Sequence, residues 1–379
     1  MRSFEIGPIR PPSEAESLLL RVTRGCTWNR CKFCSLYRQT TFRAYPVEEV
    51  KQTIDAIAEY RERILSGRYP DGRLSYKAMQ EDMGGLKEEE QGCYYMVYNW
   101  LNGGGYSVFL QDGNTMALAP ERLATILQYL KEKIPGITRI TSYGRAESLA
   151  KITVEQYAEL KKAGLTRIHS GFESGSDRVL TLINKGVTAA EEIEAGRRIK
   201  ASGIELSVYF MPGVGGKELT EENALETARV ITAIDPQFVR LRTSVIQKRS
   251  ELFEEVASGR LVPCTDLEKV LEIRSLIENI QGCGGYLASD HIINLLQDVE
   301  GRLDTEREDM LATIDQFLNL PEEERKLFQL ARRTGRVTSV SDLRLLDPRV
   351  RRQLREVSLS VTDPEEWEVL LNRYLTRYI

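Results

Sequence analysis

The stretch RGCTWNRCKFCSLYR, residues 24–38, places Cys26, Cys31 and Cys34 within nine positions. The segment before it, LLLRVTR (18–24), is a short apolar run that ends before a glycine, which is typical of a buried strand. The three thiols therefore lie on the loop that follows a first strand. Parallel α/β folds bind their ligands at that end of their strands, so the loop is predicted to form part of a functional site.

Cysteines at this spacing are typical of a metal centre. Three thiolates on one loop can hold three corners of a 4Fe-4S cluster and leave one iron open to a ligand. A zinc ribbon would need a second Cys-x-x-Cys pair, and the sequence has none. A composite zinc site with His169 or His291, and a loop without any metal, are the alternatives. Cys93, Cys264 and Cys283 follow no metal-binding motif, and a second cluster on them is left open beside ordinary buried thiols.

After residue 105 the sequence alternates regularly between short apolar runs and helical segments. Together with the first run, six strands are predicted, at 18–24, 107–111, 137–143, 165–172, 204–211 and 237–245. Gly136, Gly164 and Gly203 fall where the intervening helices should end. The alternation predicts an α/β fold with a parallel sheet, either doubly wound and open or an incomplete barrel.

Two other parts of the chain differ in character. Residues 66–105 are polar and Gly-rich, and they predict an insertion with helices near 75–89 and 91–102. Towards the end of the chain the sequence is rich in Arg, Glu and Leu, with helix breaks at Pro321, Pro348 and Pro364. We therefore divide the chain into a partial barrel (1–260), a connecting segment (261–303) and a C-terminal helical region (304–379).

Composition limits the class of protein. Of the 379 residues, 41% are hydrophobic and 28% are charged, which is typical of a globular domain. The formal net charge of −4 gives no overall basic surface, so nucleic-acid binding is not supported and a small-molecule substrate is favoured. No apolar run is long enough to span a membrane, and the N-terminus has no signal-peptide core. We therefore expect a cytoplasmic protein, in which thiols stay reduced.

Several motifs together carry a resemblance to a known family. They are, in chain order, RGCTWNRCKFC, VFLQDGN, SGFESGSD, INKGVT, MPGVGG and IDPQFVRLR. This series resembles the radical S-adenosylmethionine (SAM) superfamily, in the branch of oxygen-independent coproporphyrinogen oxidase and the Elongator and methylthiotransferase enzymes. The likeness covers residues 18–260 well. The chain departs from the usual motif in having four residues, not three, in the first cysteine gap. The resemblance implies an incomplete parallel (β/α)6 barrel, a 4Fe-4S cluster and SAM.

The resemblance also implies roles for individual residues. Cys26, Cys31 and Cys34 would hold the cluster, and Phe33 would lie beside the adenine of SAM, unless it is only loop packing. Lys185 would bind the SAM carboxylate, with a solvated lysine as the alternative. The turn implied to contact the adenine consists of Met211, Pro212 and Gly213.

Two further strand ends are implied to contact SAM. Asp112, Gly113 and Asn114 stand where the family commonly has Gly-Gly-Glu, so either Asp112 or Asn114 would bind the amino group. An Asx turn that caps the next helix is the alternative. Glu173 would accept hydrogen bonds from the ribose or the amino group, unless it only caps the following helix.

The substrate site is less constrained. Asp290 and His291, in ASDHIINLL (288–296), are candidates to orient substrate or to move a proton, and a helix start is the alternative. Arg240 and Arg242 alternate on the sixth strand, so both are expected on one face, where they would bind an anionic group or form salt bridges. By resemblance, the electron donor would be a flavodoxin or a ferredoxin.

The main hypothesis is a radical SAM enzyme that abstracts hydrogen from an unidentified substrate. Two other functions are the alternatives. In one, the chain is a non-catalytic binding or scaffold module with a structural zinc or iron–sulfur site. In the other, it is an α/β enzyme that uses a different cofactor. The second would require a phosphate-binding fingerprint, and MPGVGGKE lacks the spacing of a P-loop.

Overall fold

A computed structural model describes residues 2–375 of the chain. The described part contains ten strands: β1 (Leu18–Leu20), β2 (Thr23–Arg24), β3 (Arg43–Ala44), β4 (Ser107–Leu110), β5 (Arg139–Tyr143), β6 (Leu165–Glu173), β7 (Glu205–Phe210), β8 (Phe238–Leu241), β9 (Tyr286–Ala288) and β10 (Gly301–Arg302). Parallel strands alternate with helices along most of the chain, so the α/β class predicted from the sequence is confirmed.

The helices follow the strands in chain order. They are α1 (Val47–Ser66), α2 (Tyr76–Gly84), α3 (Glu88–Asn102), α4 (Pro120–Lys133), α5 (Ala146–Leu149), α6 (Val154–Ala163), α7 (Asp177–Leu182), α8 (Ala189–Ser202), α9 (Thr220–Ile234), α10 (Glu251–Ala257), α11 (Asp266–Asn279), α12 (Arg307–Leu318), α13 (Glu322–Arg333), α14 (Pro348–Ser360) and α15 (Pro364–Leu375). No helix in residues 2–375 combines the length and the apolar character needed to cross a bilayer.

The helix ends follow local sequence signals. Thr153 accepts a hydrogen bond from the Gln156 N–H, and the Gln156 side chain reaches back to the Thr153 backbone, which is a capping box. The same helix, α6, ends at Gly164, whose φ of +121° is accessible to glycine at little cost. Pro321 is the N-cap of α13, and Pro348 is the first residue of α14, so these predicted breaks are where helices begin.

Contacts divide the chain into two compact units. Unit 1 consists of Met1–Asn29, Tyr37–Ser170 and Ala195–Leu206, and unit 2 consists of Arg30–Leu36, Gly171–Glu194 and Ser207–Ile379. In unit 1, β1, β4, β5 and β6 lie side by side and parallel. Leu19 pairs with Phe109, which pairs with Thr141. All four residues of β4 are buried, which explains why its apolar residues Val108, Phe109 and Leu110 follow one another without polar alternation.

In unit 2, β8 pairs in parallel with both β7 and β9, and β10 is antiparallel to β9. Helix α11 packs against α9. The last helices have a separate cluster in which Leu330 packs with Trp367 and Leu371. The Trp367 indole N–H donates to the Gln329 amide oxygen at 3.2 Å, which satisfies a buried donor.

Most of the predicted elements are present, with two differences. All six predicted strands occur, but the run 18–24 is divided, because β1 ends at Leu20 and β2 pairs with β3 instead. A seventh parallel strand, β9, follows the six, and its sequence YLA is too short to give a periodic signal. The insertion holds α2 and α3, close to the predicted ranges.

Candidate active site

Unit 2 contains the second half of the cysteine loop, which is held by backbone hydrogen bonds. The Cys34 N–H donates to the Cys31 carbonyl at 3.1 Å, closing a turn around Phe33. Lys32 donates its N–H to the Ile183 carbonyl at 2.8 Å and accepts from the Leu252 N–H at 2.9 Å. Cys31 is buried and Cys34 is half-buried. The loop is therefore fixed by its backbone.

Unit 1 contains Cys26, which lies against the end of β4. The Gly113 N–H donates to the Gly25 carbonyl at 3.1 Å, and the Gly25 N–H donates to Asp112 Oδ1 at 3.2 Å. A Cβ atom added at Gly113 would lie 3.1 Å from the Cβ of Cys26, closer than ordinary packing allows. Gly113 is thus needed for the close approach of the strand end to the first cysteine.

The side chains of Asp112 and Asn114 are already engaged within unit 1. Asp112 is fully buried and forms a two-pronged ion pair with Arg21, one contact of which measures 3.0 Å. The Asn114 amide donates to Thr27 and Ser148, each at 2.8 Å. Asn114 precedes a short 3₁₀ turn but makes no capping hydrogen bond with its side chain. Both residues therefore brace the strand end, and binding of the SAM amino group by either stays a prediction.

Glu173, Lys185 and Phe33 come together in unit 2. Lys185 Nζ lies 2.9 Å from Glu173 Oε1 and 5.5 Å from the centre of the Phe33 ring. Lys185 is only 6% exposed, so it is not the solvated lysine of the alternative interpretation. Glu173 has a φ of +70° at the end of β6, and the residue that caps α7 is Ser176. The helix-capping alternative for Glu173 is therefore wrong.

The sequence analysis missed Glu192, in the first turn of α8. Its side chain is fully buried, and neither carboxylate oxygen has a hydrogen-bond partner in the described residues. Burial is the main cause that raises the pKa of Glu192 well above its usual value. The Glu173 carboxylate adds to the rise and Lys185 opposes it. The sequence, AAEEIEAG, gave no signal because Glu191 and Glu192 are both ordinary first-turn residues of a helix.

The turn Met211–Pro212–Gly213 follows β7 directly. The Met211 N–H donates to the Glu173 carbonyl at 2.9 Å, and the Ser244 N–H donates to the Pro212 carbonyl at 2.9 Å. Met211 packs in an apolar cluster with Val179 and Val214, and Phe33 packs against the same cluster. The predicted aromatic and turn residues are therefore neighbours in unit 2, although nearly 180 residues separate them in the chain.

Asp290 and His291 follow β9, on a segment of turns and not at the start of a helix, so the helix alternative is wrong. Asp290 forms an ion pair with Arg240, which also donates to Ser207 Oγ at 3.0 Å. Arg242 is exposed, whereas Arg240 is 5% exposed, so the two arginines differ in environment despite their alternate spacing.

The His291 ring is held in one tautomer by its own loop. The Ile293 N–H donates to His291 Nδ1 at 3.3 Å, so the ring proton is on Nε2. Burial and the nearby Arg242 charge lower the pKa of His291 to about 4, against a smaller opposing effect of Asp290. His291 is therefore neutral at physiological pH and can donate a hydrogen bond from Nε2.

Comparison with known proteins identifies the family. The model of the radical SAM superfamily matches residues 20–231, which is more than half of the chain. The chain belongs to the radical SAM superfamily. This confirms the resemblance seen in the motifs. Members of the radical SAM superfamily are enzymes that use a 4Fe-4S cluster and SAM, so both expected cofactors are confirmed at the level of the family.

Individual relatives match the radical SAM region over shorter stretches. A tRNA-2-methylthio-N(6)-dimethylallyladenosine synthase from Bordetella petrii is 36% identical over 28% of this chain and 22% of its own length. A tRNA uridine(34) acetyltransferase from Methanocaldococcus infernus is 26% identical over 32% of this chain and 23% of its own length. The chain thus matches less than a quarter of each of these relatives. Among solved structures, coproporphyrinogen III oxidase from Escherichia coli aligns with a TM-score of 0.45 and 13% identity, over 71% of this chain and 52% of that one.

The donor set of the radical SAM loop fits an iron–sulfur cluster. In residues 2–375, no three His, Cys, Asp or Glu side chains are arranged to hold a single metal ion. That finding concerns a single ion, whereas a cubane cluster is held by cysteines on separate iron atoms.

The three remaining cysteines are buried. Burial raises the pKa of the Cys264 thiol to about 11, and it also raises the pKa of Cys93. Such thiols keep their protons, which does not favour metal binding by these two residues.

Proposed function

We propose that this chain cleaves SAM reductively and uses the resulting 5′-deoxyadenosyl radical to abstract hydrogen from a substrate. The observation that carries the proposal is the meeting of three distant segments in unit 2. The Cys31–Cys34 turn, the Glu173–Lys185 pair and the Met211–Gly213 turn adjoin one another through Phe33 and the Glu173 backbone. These are the segments that the family resemblance assigns to the cluster, to the methionine part of SAM and to its adenine.

In this proposal, Cys26, Cys31 and Cys34 hold a 4Fe-4S cluster, which supplies the electron for breaking the sulfonium C–S bond. Lys185 provides a positive charge for the SAM carboxylate. Glu173 accepts hydrogen bonds from the amino group or the ribose. The low exposure of both side chains keeps water from competing for these contacts.

Phe33 and the turn Met211–Gly213 form the proposed adenine side of the site. Aromatic and thioether side chains provide apolar, polarisable surfaces for a purine ring. Gly213, with a φ of +80°, has the left-handed backbone that glycine adopts at little cost, and it forms the tight turn at the end of β7.

We propose that Asp290 and His291 contribute to substrate binding near the ends of β8 and β9. The neutral His291 is suited to donate a hydrogen bond from Nε2, and its low pKa argues against a role as a general base at neutral pH. Asp290 is engaged with Arg240, so a direct contact of Asp290 with substrate would have to compete with that ion pair. The predicted flavodoxin or ferredoxin donor and the cytoplasmic location remain proposals.

Two substrate classes follow from different observations. The net charge of −4 favours a small molecule. The names of the Bordetella and Methanocaldococcus relatives favour tRNA, which weakens the prediction that nucleic acid is not a partner. Retention of the chain on immobilised bulk tRNA at low and at moderate salt would separate these classes, because phosphate contacts make RNA binding strongly salt-dependent.

The test of the main proposal is anaerobic. The protein is reconstituted with iron and sulfide, reduced with dithionite and assayed for 5′-deoxyadenosine formation from SAM. We expect a brown protein that forms the product, and loss of both properties in the C26A/C31A/C34A variant. The matched control is C93A/C264A/C283A, which removes the same number of thiols and should keep both properties. A colourless protein that carries zinc in stoichiometric amount would instead support the binding-module alternative.

A further inference from the structure

A helix beyond the matched family region provides a hydrogen-bond acceptor for the turn Met211–Pro212–Gly213. The Gly213 N–H donates to Glu272 Oε2 at 2.9 Å. Glu272 lies on α11, whereas the family model ends at residue 231. Its side chain is 2% exposed, so this contact is shielded from water. A buried hydrogen bond to a backbone N–H fixes the orientation of the peptide group that donates it.

The same carboxyl group is held from its other side. Asn223 of α9 donates its amide N–H to Glu272 Oε1 at 2.6 Å. Asn223 is fully buried, and its own Oδ1 has no hydrogen-bond partner in residues 2–375. Glu272 therefore bridges the turn and α9, the helix that follows the turn in the chain. Burial is the main cause that raises the pKa of Glu272 to about 8, while the bonds from Asn223 and Gly213 partly oppose it.

Helix α11 also shapes the turn with a second side chain. A Cβ atom added at Gly213 would lie 2.9 Å from Cγ and Cε of Lys269. Lys269 and Glu272 are three positions apart, so they lie on the same face of α11. The left-handed conformation of Gly213 and the packing of Lys269 both disfavour a larger residue. One face of α11 therefore both holds and confines the backbone of this turn.

We propose that Glu272 is a positioning residue for the adenine of SAM, and that α11 is part of the cofactor site. The inference rests on the proposed function, because it assumes that the Met211–Gly213 turn contacts the adenine. Without an acceptor at Glu272, the Gly213 peptide can rotate and the turn loses its fixed shape. The binding energy that SAM gains from its adenine then falls, while the energy gained from its methionine part does not.

The test compares two ligands and three variants in the reconstituted protein. Dissociation constants for SAM and for L-methionine are measured anaerobically by calorimetry. Glu272→Met has a side chain of similar length and replaces the carboxylate oxygens with a thioether that is only a weak acceptor. We expect the dissociation constant for SAM to rise about tenfold, with that for methionine within twofold. Glu272→Gln should stay within about threefold for SAM, because its amide oxygen can accept from Gly213, and its N–H can donate to Asn223 Oδ1 once the Asn223 amide has turned over. Glu278→Ala, on the exposed side of α11, is the matched control and should change neither constant.

The outcomes distinguish this inference from the proposed function. A wild-type protein that does not bind SAM would overturn both. A wild-type protein that binds SAM, together with unchanged affinity in Glu272→Met, would overturn the role of Glu272 alone. Equal weakening of SAM and methionine would indicate general damage and would also overturn it.

A measurement on the unmodified chain covers the case in which Glu272→Met does not fold. Hydrogen exchange followed by mass spectrometry should show that SAM slows exchange in peptides that contain the Met211–Gly213 turn and the Glu272 segment of α11. Protection of the cysteine loop without protection of these peptides would contradict the proposal.

Discussion

Glu192→Gln should change how the stability of the protein depends on pH. Glu192 is fully buried, its carboxyl oxygens have no hydrogen-bond partner in the described residues, and its pKa is raised well above 4.5. In the unfolded chain the same group ionises near pH 4.5. Above that pH the unfolded state has released a proton that the folded state still holds, so ionisation favours unfolding. The native chain therefore loses stability as the pH rises through this window.

The expected size of the effect follows from proton linkage. Each pH unit in which only the unfolded chain is ionised lowers the free energy of unfolding by about 1.4 kcal/mol. Glutamine does not ionise. The free energy of unfolding of Glu192→Gln, relative to that of the native chain, should therefore rise by about 1.4 kcal/mol per pH unit. The growth begins near pH 5 and stops where the folded Glu192 itself ionises. Lys185 shifts that upper limit downward, and the Glu173, Asp177 and Glu191 carboxylates shift it upward.

The assay is urea unfolding followed by circular dichroism at a series of pH values. The quantity of interest is the difference in free energy of unfolding between the variant and the native chain, and how steeply that difference changes with pH. Burying the uncharged glutamine amide has a cost that does not depend on pH. This cost shifts the difference in free energy of unfolding equally at every pH and leaves its slope unchanged. Glu221→Gln, the same change at an exposed first-turn position of α9, should give a difference nearly independent of pH. Parallel pH profiles for the native chain and Glu192→Gln would refute the reasoning.

Two further predictions concern stability and are measured by the same urea unfolding at neutral pH. Arg333→Met leaves Asp266 buried without its ion-pair partner, since both side chains are at most 3% exposed, and should cost about 3–5 kcal/mol. The exposed Arg352→Met should stay within about 0.5 kcal/mol, and equal effects of the two changes would contradict this. Gly175→Ala places a Cβ atom 2.4 Å from the Glu226 carbonyl oxygen and should cost about 1–3 kcal/mol, because backbone cannot easily move away. Gly92→Ala, inside α3 with nothing within 4 Å, should instead stabilise by about 0.5–1 kcal/mol, and a loss of stability there would show that the helix tolerates no side chain.

Much of the fold could be predicted because its signals are local. Apolar runs marked the first six of the seven parallel strands, and Gly164 marked the end of α6. Strand β9 was missed because three residues carry no period. The division of the run 18–24 was missed because pairing of β2 with β3 depends on a partner 20 residues away.

The candidate site was predicted in part. The cysteine spacing and the order of the motifs gave the family, and the residues Phe33, Glu173, Lys185 and Met211 were each identified from motifs. The environments of these residues could not be predicted from the motifs. The burial of Lys185 beside Glu173 and the low pKa of His291 depend on groups that other segments bring near. The same is true of the ion pair between Asp112 and Arg21, which leaves the Asp112 side chain engaged inside unit 1.

The sequence by itself determined the α/β class, the cysteine loop and the membership of the radical SAM superfamily, because each is carried by short local patterns and by their order along the chain. The tertiary structure decided which ionisable groups are buried together. Glu192 and Glu272 look like ordinary helical glutamates in the sequence, yet both are almost fully buried and have raised pKa values. The physical reason is that desolvation and hydrogen bonding depend on what surrounds a side chain, and residues far apart in the sequence provide those surroundings.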